Sequence, residues 1–250
     1  MGELINARNL VKSFGETQAV RGVSLRVNAG EVVGFLGPNG AGKTTTMRML
    51  TGFLDPTAGD IALNGLLLHE DPIRARQSFG YLPEGAPAYP DMTVREYLTF
   101  IARARGIPAR RIAERLDAVV ARIHLRGVVD QVIDTLSKGF KRRVGIAQAI
   151  LHDPPILIMD EPTDGLDPNQ KHEVRELIRA MGSTKAIVLS THILEEVEAV
   201  CTRAIVIAAG RVVFDGTPAD FERKAPDHVT RNRMDYAFRA MTAAASEVPL

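Results

Sequence analysis

The glycine-rich stretch GPNGAGKTT, Gly37 to Thr45, combines residue types and a spacing that suit the binding of phosphate groups. Glycines let backbone N–H groups wrap an anion, while the lysine and hydroxyl that follow can meet phosphate oxygens and Mg²⁺. An apolar run precedes the stretch and a helical pattern follows it, which argues against a chance glycine-rich turn. We predict that Lys43 contacts the outer phosphates, that Thr44 ligates Mg²⁺ and that Thr45 supplies a further donor. The predicted phosphate-binding residues are Gly37, Pro38, Asn39, Gly40, Ala41, Gly42, Lys43, Thr44 and Thr45.

Two adjacent carboxylates, Asp160 and Glu161, form a second candidate site. They follow the apolar run ILIM, and the carboxyl ends of parallel strands are where such sheets bind ligands. We expect Asp160 to hold Mg²⁺ through its water shell and Glu161 to polarise an attacking water. A solvated acidic loop is the alternative, and the preceding apolar run argues against it.

His192 follows a further apolar run, AIVLS, and is the third candidate. A lone histidine is more often structural than catalytic, so the residue type alone indicates no function. Its position predicts the same sheet edge as Lys43 and Glu161, where an imidazole can hydrogen-bond a phosphate and a water. The remaining histidines lack such a position and are interpreted as surface or internally satisfied residues: His69, His124, His152, His172 and His228.

The turn Ser137-Lys138-Gly139 runs into a basic helical stretch and is a second potential anion site. Free backbone N–H groups and the positive end of the helix dipole point outward at such a start. The glycine-rich stretch far upstream already serves phosphate, so this turn needs another ligand. We interpret the following Lys141-Arg142-Arg143 as a solvated helix face rather than a nucleic-acid contact.

Four apolar runs must position these residues, and none of them alternates with polar residues. Such runs are typical of parallel strands covered on both faces. They are Val32–Leu36, Ile156–Met159, Ala186–Ser190 and Ala204–Ala208. The spacing of apolar residues predicts a helix over 169–181, capped by Asp167 and Pro168. A terminal hairpin is predicted to turn at Gly210.

The middle of the chain changes character. From Thr93 to Leu125 it shows two amphipathic helical patterns, the first with capping-box spacing at 93–96. A small antiparallel sheet is predicted from Leu4–Val27 together with Ile61–Gly65. The predicted division is a single domain over 1–220, in which 1–90 and 149–220 form the α/β core with its β subdomain, 91–148 form a helical insert, and 221–250 form a C-terminal tail whose last ten residues fray.

Composition narrows the class of protein. The 31 Lys and Arg against 30 Asp and Glu leave no broad positive field that would gather nucleic acid. The single cysteine, Cys201, excludes a disulfide framework and indicates a reducing cytoplasm. No run of eighteen apolar residues and no signal-peptide core occur, so we expect neither a membrane span nor secretion.

Taken in order, the motifs resemble those of the ATP-binding subunits of ABC transporters over roughly Leu4 to Pro218. The order comprises the aromatic of KSFG, the glycine-rich P-loop, GYLPE, LSKGF, the strand ending in Asp160-Glu161, DGLD and His192. The chain is most similar to ATPases of ABC-2 type exporters, and among these to the gliding-motility type. The fold implied is α/β, a P-loop NTPase (RecA-like) core with a parallel sheet, a small antiparallel β subdomain and a helical insert.

The resemblance also implies roles for residues. Phe14 stands where the family stacks an aromatic on adenine, with a buried core phenylalanine as the alternative. Glu84 occupies the position of the family's glutamine that senses Mg²⁺ and the attacking water, and adds a negative charge there. Asp167 resembles the aspartate that crosses to the other subunit, although helix capping explains it nearly as well.

The same resemblance supplies the missing ligand of the second anion site. In the family two subunits pack head to tail, so Ser137 and the Gly139 backbone would contact the γ-phosphate of ATP held by the partner. Lys138 and Phe140 depart from the usual Leu-Ser-Gly-Gly-Gln. The implied cofactors are ATP and Mg²⁺, and the implied partners are a second copy or a pseudo-symmetric equivalent and integral membrane permease subunits.

The function predicted from these features is ATP hydrolysis that drives export from the cytoplasmic face of the inner membrane. A soluble ABC ATPase acting on nucleic acid or ribosomes is the alternative, disfavoured by the single P-loop and the lack of a heptad stretch. A nucleotide-binding regulator without turnover would be expected to lack Glu161 or His192, and both are present.

Overall fold

The strands of the protein form two sheets. The structure is a computed structural model that describes residues 2–85 and 88–246. An antiparallel sheet, in the order β2-β1-β4-β5, contains β1 (Glu3–Phe14), β2 (Thr17–Asn28), β4 (Ala58–Leu63) and β5 (Leu66–Leu67). A second sheet, in the order β10-β9-β3-β8-β7-β6, contains β3 (Val32–Leu36), β6 (Phe79–Leu82), β7 (Ile156–Asp160), β8 (Ala186–Thr191), β9 (Arg203–Ala208) and β10 (Arg211–Gly216).

Helices connect these strands and cover the second sheet. They are α1 (Lys43–Leu50), α2 (Pro72–Gln77), α3 (Val94–Ala104), α4 (Ala109–Arg122), α5 (Lys138–Ile150), α6 (Pro168–Gly182), α7 (Leu194–Val200), α8 (Pro218–Glu222) and α9 (Arg233–Ser246). Two short 3₁₀ turns, Arg126–Val128 and Ile133–Thr135, lie between α4 and α5.

The five strands from β9 to β6 run parallel, and β10 pairs with β9 in the antiparallel direction. All residues of β3, β7 and β8 are buried, as the unbroken apolar runs predicted. The side chains of β3 alternate between two different hydrophobic cores. Val33 and Phe35 pack with the antiparallel sheet and α1, whereas Val32 and Leu36 pack with the helical segments. The parallel sheet is therefore the central layer, and the predicted α/β class is confirmed.

The helical segment between β6 and β7 forms as predicted. Thr93 and Glu96 make the reciprocal capping box that starts α3. The apolar stripe of α4, with Leu116 and Val119, is buried against the same core as Leu98 of α3. Among the described residues of this segment, the only β pairing is an isolated bridge from Thr93 to Val132. The segment therefore packs as one helical layer beside the sheet.

One strand of the sheet was not predicted. β6 contains the tetrapeptide Phe-Gly-Tyr-Leu, which is too short and too mixed to stand out as an apolar run. Its glycine serves packing, because a Cβ on Gly80 would collide with the backbone carbonyl of Ala149 in α5. The close approach of α5 to β6 therefore depends on Gly80. Both elements lead into the candidate site.

The C-terminal segment differs from the frayed tail predicted for the last ten residues. Residues 233–246 form α9, and the side chains of Met234 and Ala237 are buried in the core that also contains Phe214 and Phe221. The predicted boundary at residue 220 falls inside α8. Residues 247–250 lie outside the described residues. Within the described ranges, no helix combines the length and the apolar character needed to cross a membrane.

Candidate nucleotide site

The glycine-rich loop joins β3 to α1, so it lies at the carboxyl edge of the parallel sheet. Gly42 caps α1 with a left-handed φ of 103°, and a Cβ there would lie 2.7 Å from the carbonyl oxygen of Ala19. A Cβ on Gly37 would collide with the carbonyl of Ile207. Glycine at these two positions is what lets the loop lie close to neighbouring backbone and open its N–H groups outward.

Lys43 is held against the loop that precedes it. Its Nζ donates to the carbonyl of Gly37 at 2.7 Å and to that of Pro38 at 3.3 Å, and the residue is buried. Burial lowers the pKa of Lys43, while the charges of Glu161, Asp160 and Glu84 act in the opposite direction. An ammonium held only by carbonyl dipoles and surrounded by carboxylates suits the binding of an anion together with a metal ion.

Asp160, at the end of β7, fits the predicted metal role. Its Oδ1 accepts a hydrogen bond from Ser190 Oγ, whereas its buried Oδ2 has no hydrogen-bond partner among residues 2–85 and 88–246. A buried oxygen without a partner is costly unless a cation or a water satisfies it. The described residues contain no cluster of three or more acidic, His or Cys ligands. Mg²⁺ needs no such cluster, because it is usually held by one or two protein ligands, phosphates and water.

Glu161 adopts a strained backbone conformation directly after Asp160. Its φ is 50°, a left-handed value that costs a residue with a side chain on the order of 1–3 kcal/mol. Its backbone N–H donates to the carbonyl of Ser190 at 3.1 Å, and its carboxylate lies 3.0 Å from Nδ1 of His192. The residue with the strained backbone is therefore also the one whose carboxylate is held by His192.

A cleft of about 200 Å³ collects most of the predicted phosphate and catalytic residues. It is lined by Ala19, Asn39, Gly40, Gly42, Lys43, Thr44, Thr45, Glu84 and Glu161. His192 reaches this cleft through its contact with Glu161, and Asp160 lies directly before Glu161 in the chain. Glu84 is exposed at the cleft, two residues beyond the end of β6. The sheet edge thus brings together residues from four separate parts of the chain.

Five predicted site residues do not line the cleft but adjoin or contact residues that do: Gly37, Pro38, Ala41, Asp160 and His192. Four further predicted site residues belong to other segments outside the cleft. Phe14, at the end of β1, is 52% exposed, so the alternative of a buried core phenylalanine is wrong. Ser137 is exposed at the start of α5, where its Oγ accepts from the N–H of Phe140 at 3.3 Å. A serine hydroxyl that accepts this bond can still donate its own proton to an external oxygen. Asp167 caps α6 by accepting from the N–H of Gln170 at 2.9 Å.

Gly139, the fourth of these residues, is buried against α6. A Cβ at Gly139 would collide with the amide end of the Gln170 side chain, which would have to move aside. The helix begins at Lys138, so Lys138 and Gly139, predicted as part of a separate turn, belong to the first turn of α5. Lys138 itself extends toward Asp164, with Nζ 3.4 Å from a carboxylate oxygen. The start of α5 is therefore fixed to the loop that follows Glu161.

The solvated basic face predicted for Lys141-Arg142-Arg143 is wrong for its central residue. Arg142 is buried, and its guanidinium donates only to backbone carbonyls within the described structure. Lys141 pairs with Asp134 and is partly exposed, which fits the surface interpretation better. Arg143 pairs with Glu173, but its side chain is only 12% exposed. The helical spacing indicated the burial of Arg142, because position 142 lies on the same helix face as the buried positions 139, 146 and 149. We assigned Arg142 to the surface because its side chain is charged.

The fold and this edge of the sheet define a P-loop nucleotide-hydrolysing protein. A family model described as ABC transporter matches residues 20–164. Nod factor export ATP-binding protein I of Burkholderia lata is 41% identical over 215 residues, covering 86% of this chain and 71% of that protein. An uncharacterized ABC transporter ATP-binding protein of Bacillus subtilis is 37% identical over 226 residues, covering 90% of this chain and 75% of that protein.

Solved structures agree with this assignment. A structure described as an ATP-binding subunit of an ABC transporter has a TM-score of 0.87 and 32% identity, covering 96% of this chain and 99% of that one. A dimeric bacterial ABC transporter cassette has a TM-score of 0.79 at 23% identity, covering 86% of this chain and 99% of that one, and supports the fold. The chain belongs to the ABC transporter ATP-binding family and is an ATP-hydrolysing transporter subunit. None of these proteins favours the soluble alternative, and the finer resemblance to gliding-motility ATPases stays a prediction.

The exposure of Phe14 yields a direct test of its predicted contact with adenine. Phe14→Ala should weaken ATP binding by about 1–2 kcal/mol, or roughly five- to thirtyfold in Kd, because a stacked base loses its aromatic partner. Titration with a fluorescent ATP analogue measures this change. Phe53→Ala removes a phenylalanine that is even more exposed and does not line the cleft, and it should leave Kd unchanged. Equal affinities of wild type and Phe14→Ala would contradict the stacking role.

Proposed function

We propose that this subunit works as a pair of copies, each ATP lying between the cleft of one copy and the start of α5 of the other. The proposal rests on one observation: two features that can bind an anion lie in different parts of the subunit. Lys43 and Thr44 line the cleft, whereas Ser137 is exposed elsewhere with a hydroxyl proton free to donate. A 13-residue helix also presents its positive end there. One of the similar structures is described as dimeric, which agrees with a pair of copies. In this proposal a second copy completes the site.

Within one cleft the residues have distinct tasks in ATP hydrolysis. Lys43 and the loop N–H groups bind the outer phosphates, and Thr44 and Asp160 would hold the metal ion. When bound, Mg²⁺ would offset phosphate charge during transfer. Glu161 accepts a hydrogen bond from the attacking water and orients it toward the γ-phosphate. His192, 3.0 Å from the Glu161 carboxylate, keeps that carboxylate aimed and donates to phosphate oxygen when it rotates.

Glu84 is the departure from the family that affects this chemistry. It lines the cleft together with Glu161 and Lys43, so it adds a carboxylate where the family has an amide. A carboxylate accepts hydrogen bonds from water or binds Mg²⁺, but it cannot donate. We infer that Glu84 acts as a metal or water ligand in this chain, and that Lys43 offsets part of its charge.

ATP-dependent closure supplies the mechanical step. Bound ATP favours the closed pair because the γ-phosphate contacts both copies, and hydrolysis removes that contact. We propose that the pair passes this motion to separate integral membrane subunits, from the cytoplasmic face of the membrane. Export is the proposed direction, in keeping with relatives whose names specify export.

An exposed apolar groove between the core and the helical segment is the proposed dock for a membrane subunit. It is lined by Thr51, Gly52, Phe53, Ile73, Arg76, Gln77, Phe79, Tyr81, Ala104 and Arg105, and two of these are largely exposed: Phe53 at 76% and Ile73 at 71%. The stretch 84–91 follows β6, and its residues Ala86 and Pro87 lie outside the described residues. Tyr89 from that stretch packs edge-on against the exposed Phe100, one helical turn before Ala104. Such a surface fits a short amphipathic helix of a membrane protein.

Replacement of the proposed base tests the catalytic assignment. Glu161→Gln should retain ATP, accumulate as an ATP-bound dimer and lose hydrolysis by about 10²-fold or more, because an amide polarises water poorly. Size-exclusion chromatography with light scattering and a phosphate-release assay measure both effects. Glu195→Gln, an exposed neighbour on α7, is the matched control and should behave as wild type. Hydrolysis by Glu161→Gln at the wild-type rate would show that another group activates the water.

A charge placed in the groove tests the proposed dock. Phe53→Glu should abolish co-purification with an integral membrane protein from solubilised membranes, because the carboxylate would be buried on docking. ATP binding by the purified chain should not change, since Phe53 does not line the cleft. Tyr236→Glu, at an exposed position of α9, is the control for added surface charge. Undiminished co-purification of Phe53→Glu would place the dock elsewhere.

A further inference from the structure

Arg142 connects three segments of the site through one side chain. Its Nη2 donates to the carbonyl of Asp160 at 2.7 Å, its Nε to that of Pro162 at 3.1 Å and its Nη1 to that of Pro83 at 3.3 Å. Two of these carbonyls flank Glu161, and the third belongs to the residue before Glu84. A single planar guanidinium thus holds the backbone beside both carboxylates of the cleft.

The charge of this side chain has no local carboxylate partner. Arg142 is 4% exposed and takes part in none of the ion pairs in the part of the chain that the structure describes. Burial lowers the pKa of Arg142, and the more distant charges of Asp164, Asp160, Glu161 and Glu196 act in the opposite direction. A buried cation bound by carbonyls alone is an expensive way to fill space, so a packing role alone explains it poorly.

The carbonyls that Arg142 binds lie where the backbone is strained. Glu161 has a left-handed φ of 50°, a conformation that persists only when its surroundings impose it. Arg142 donates to the carbonyls of the residues before and after Glu161, and the carbonyl of Ser190 accepts the Glu161 N–H. Together these contacts determine where the Glu161 carboxylate points.

The same side chain ties this backbone to α5, the helix that begins at Ser137. A second contact reinforces the link, because Nε2 of Gln148 on α5 donates to the carbonyl of Tyr81 at 2.5 Å. The close packing of Gly80 on Ala149 leaves little room for α5 to slide along β6. A shift of the segment around Glu84 is therefore transmitted to α5 and to Glu161 together.

We propose that Arg142 is a positioning residue for ATP hydrolysis: it aims Glu161 and couples that carboxylate to the Pro83-Glu84 segment and to α5. The proposal rests on the proposed function, since it takes Glu161 as the group that orients the attacking water. Arg142 lies outside the cleft lining, so it acts through Glu161 and not by touching phosphate.

Arg142→Lys is the variant that tests this role. It keeps the charge but loses the planar fork, so a single ammonium cannot hold three carbonyls at once. We expect kcat to fall at least tenfold, while the Kd for a fluorescent ATP analogue stays within threefold of wild type. Arg143→Lys, which alters the ion pair of the next residue with Glu173, is the matched control and should keep the wild-type kcat. If Arg142→Lys does not fold, Arg142→Gln is measured in its place, with the same expected changes in kcat and Kd.

A double-mutant cycle with Glu161→Gln separates positioning from general destabilisation. If Arg142 acts by aiming Glu161, the amide substitution should cost much less in the Arg142→Lys background than in wild type. The proposal would be overturned if the two substitutions together reduced kcat by the product of their separate factors. It would also be overturned if a folded Arg142→Lys kept the wild-type kcat. A fall in ATP affinity that equals the fall in kcat would overturn it too. If the wild-type chain hydrolyses no ATP, the proposed function fails instead, which is a distinguishable result.

Discussion

The parallel register of four strands is the constraint on which the site depends. Leu36 of β3 pairs with Thr191 of β8, Asp160 of β7 pairs with Ser190 of β8, and Met159 of β7 pairs with Leu82 of β6. Because these strands end together, the loops that follow them begin at one edge. One of these loops leads to Lys43 and the others carry Glu161, His192 and Glu84. A slip of one residue in any pairing would separate groups that must lie within a few ångströms of each other.

Close backbone approaches turn this edge into a defined cleft. Glycines at 37 and 42 allow the loop before α1 to lie against β2 and β9, and Gly80 allows α5 to lie against β6. Arg142 then joins α5 to the residues around Glu161 and Glu84. The cleft and the helix α5 are consequently joined by direct contacts, although in the proposed pair the cleft and the exposed start of α5 face different ATP molecules.

Sequence patterns predicted much of this arrangement, and physical reasons explain the rest. The strands β3, β7, β8 and β9 were predictable because burial on both faces produces unbroken apolar runs. β6 was not, since four residues that include glycine and tyrosine give no such run. The left-handed φ of Glu161 has no sequence signature, because glycine is the residue that normally indicates it. Arg142 was predictable from helical spacing, but a charged residue in a buried stripe contradicts the usual rule for burial.

The central claim is that each ATP is held by two copies, and mixing two defective variants tests it most directly. Lys43→Ala disables the cleft, and Ser137→Arg blocks the start of α5, so each variant alone should hydrolyse almost no ATP. In a mixed pair both defects fall in one site and leave the other intact. Random pairing therefore predicts about a quarter of the wild-type rate for an equal mixture, from half of the pairs with one of two sites. A rate no greater than the mean of the two separate variants would contradict the account.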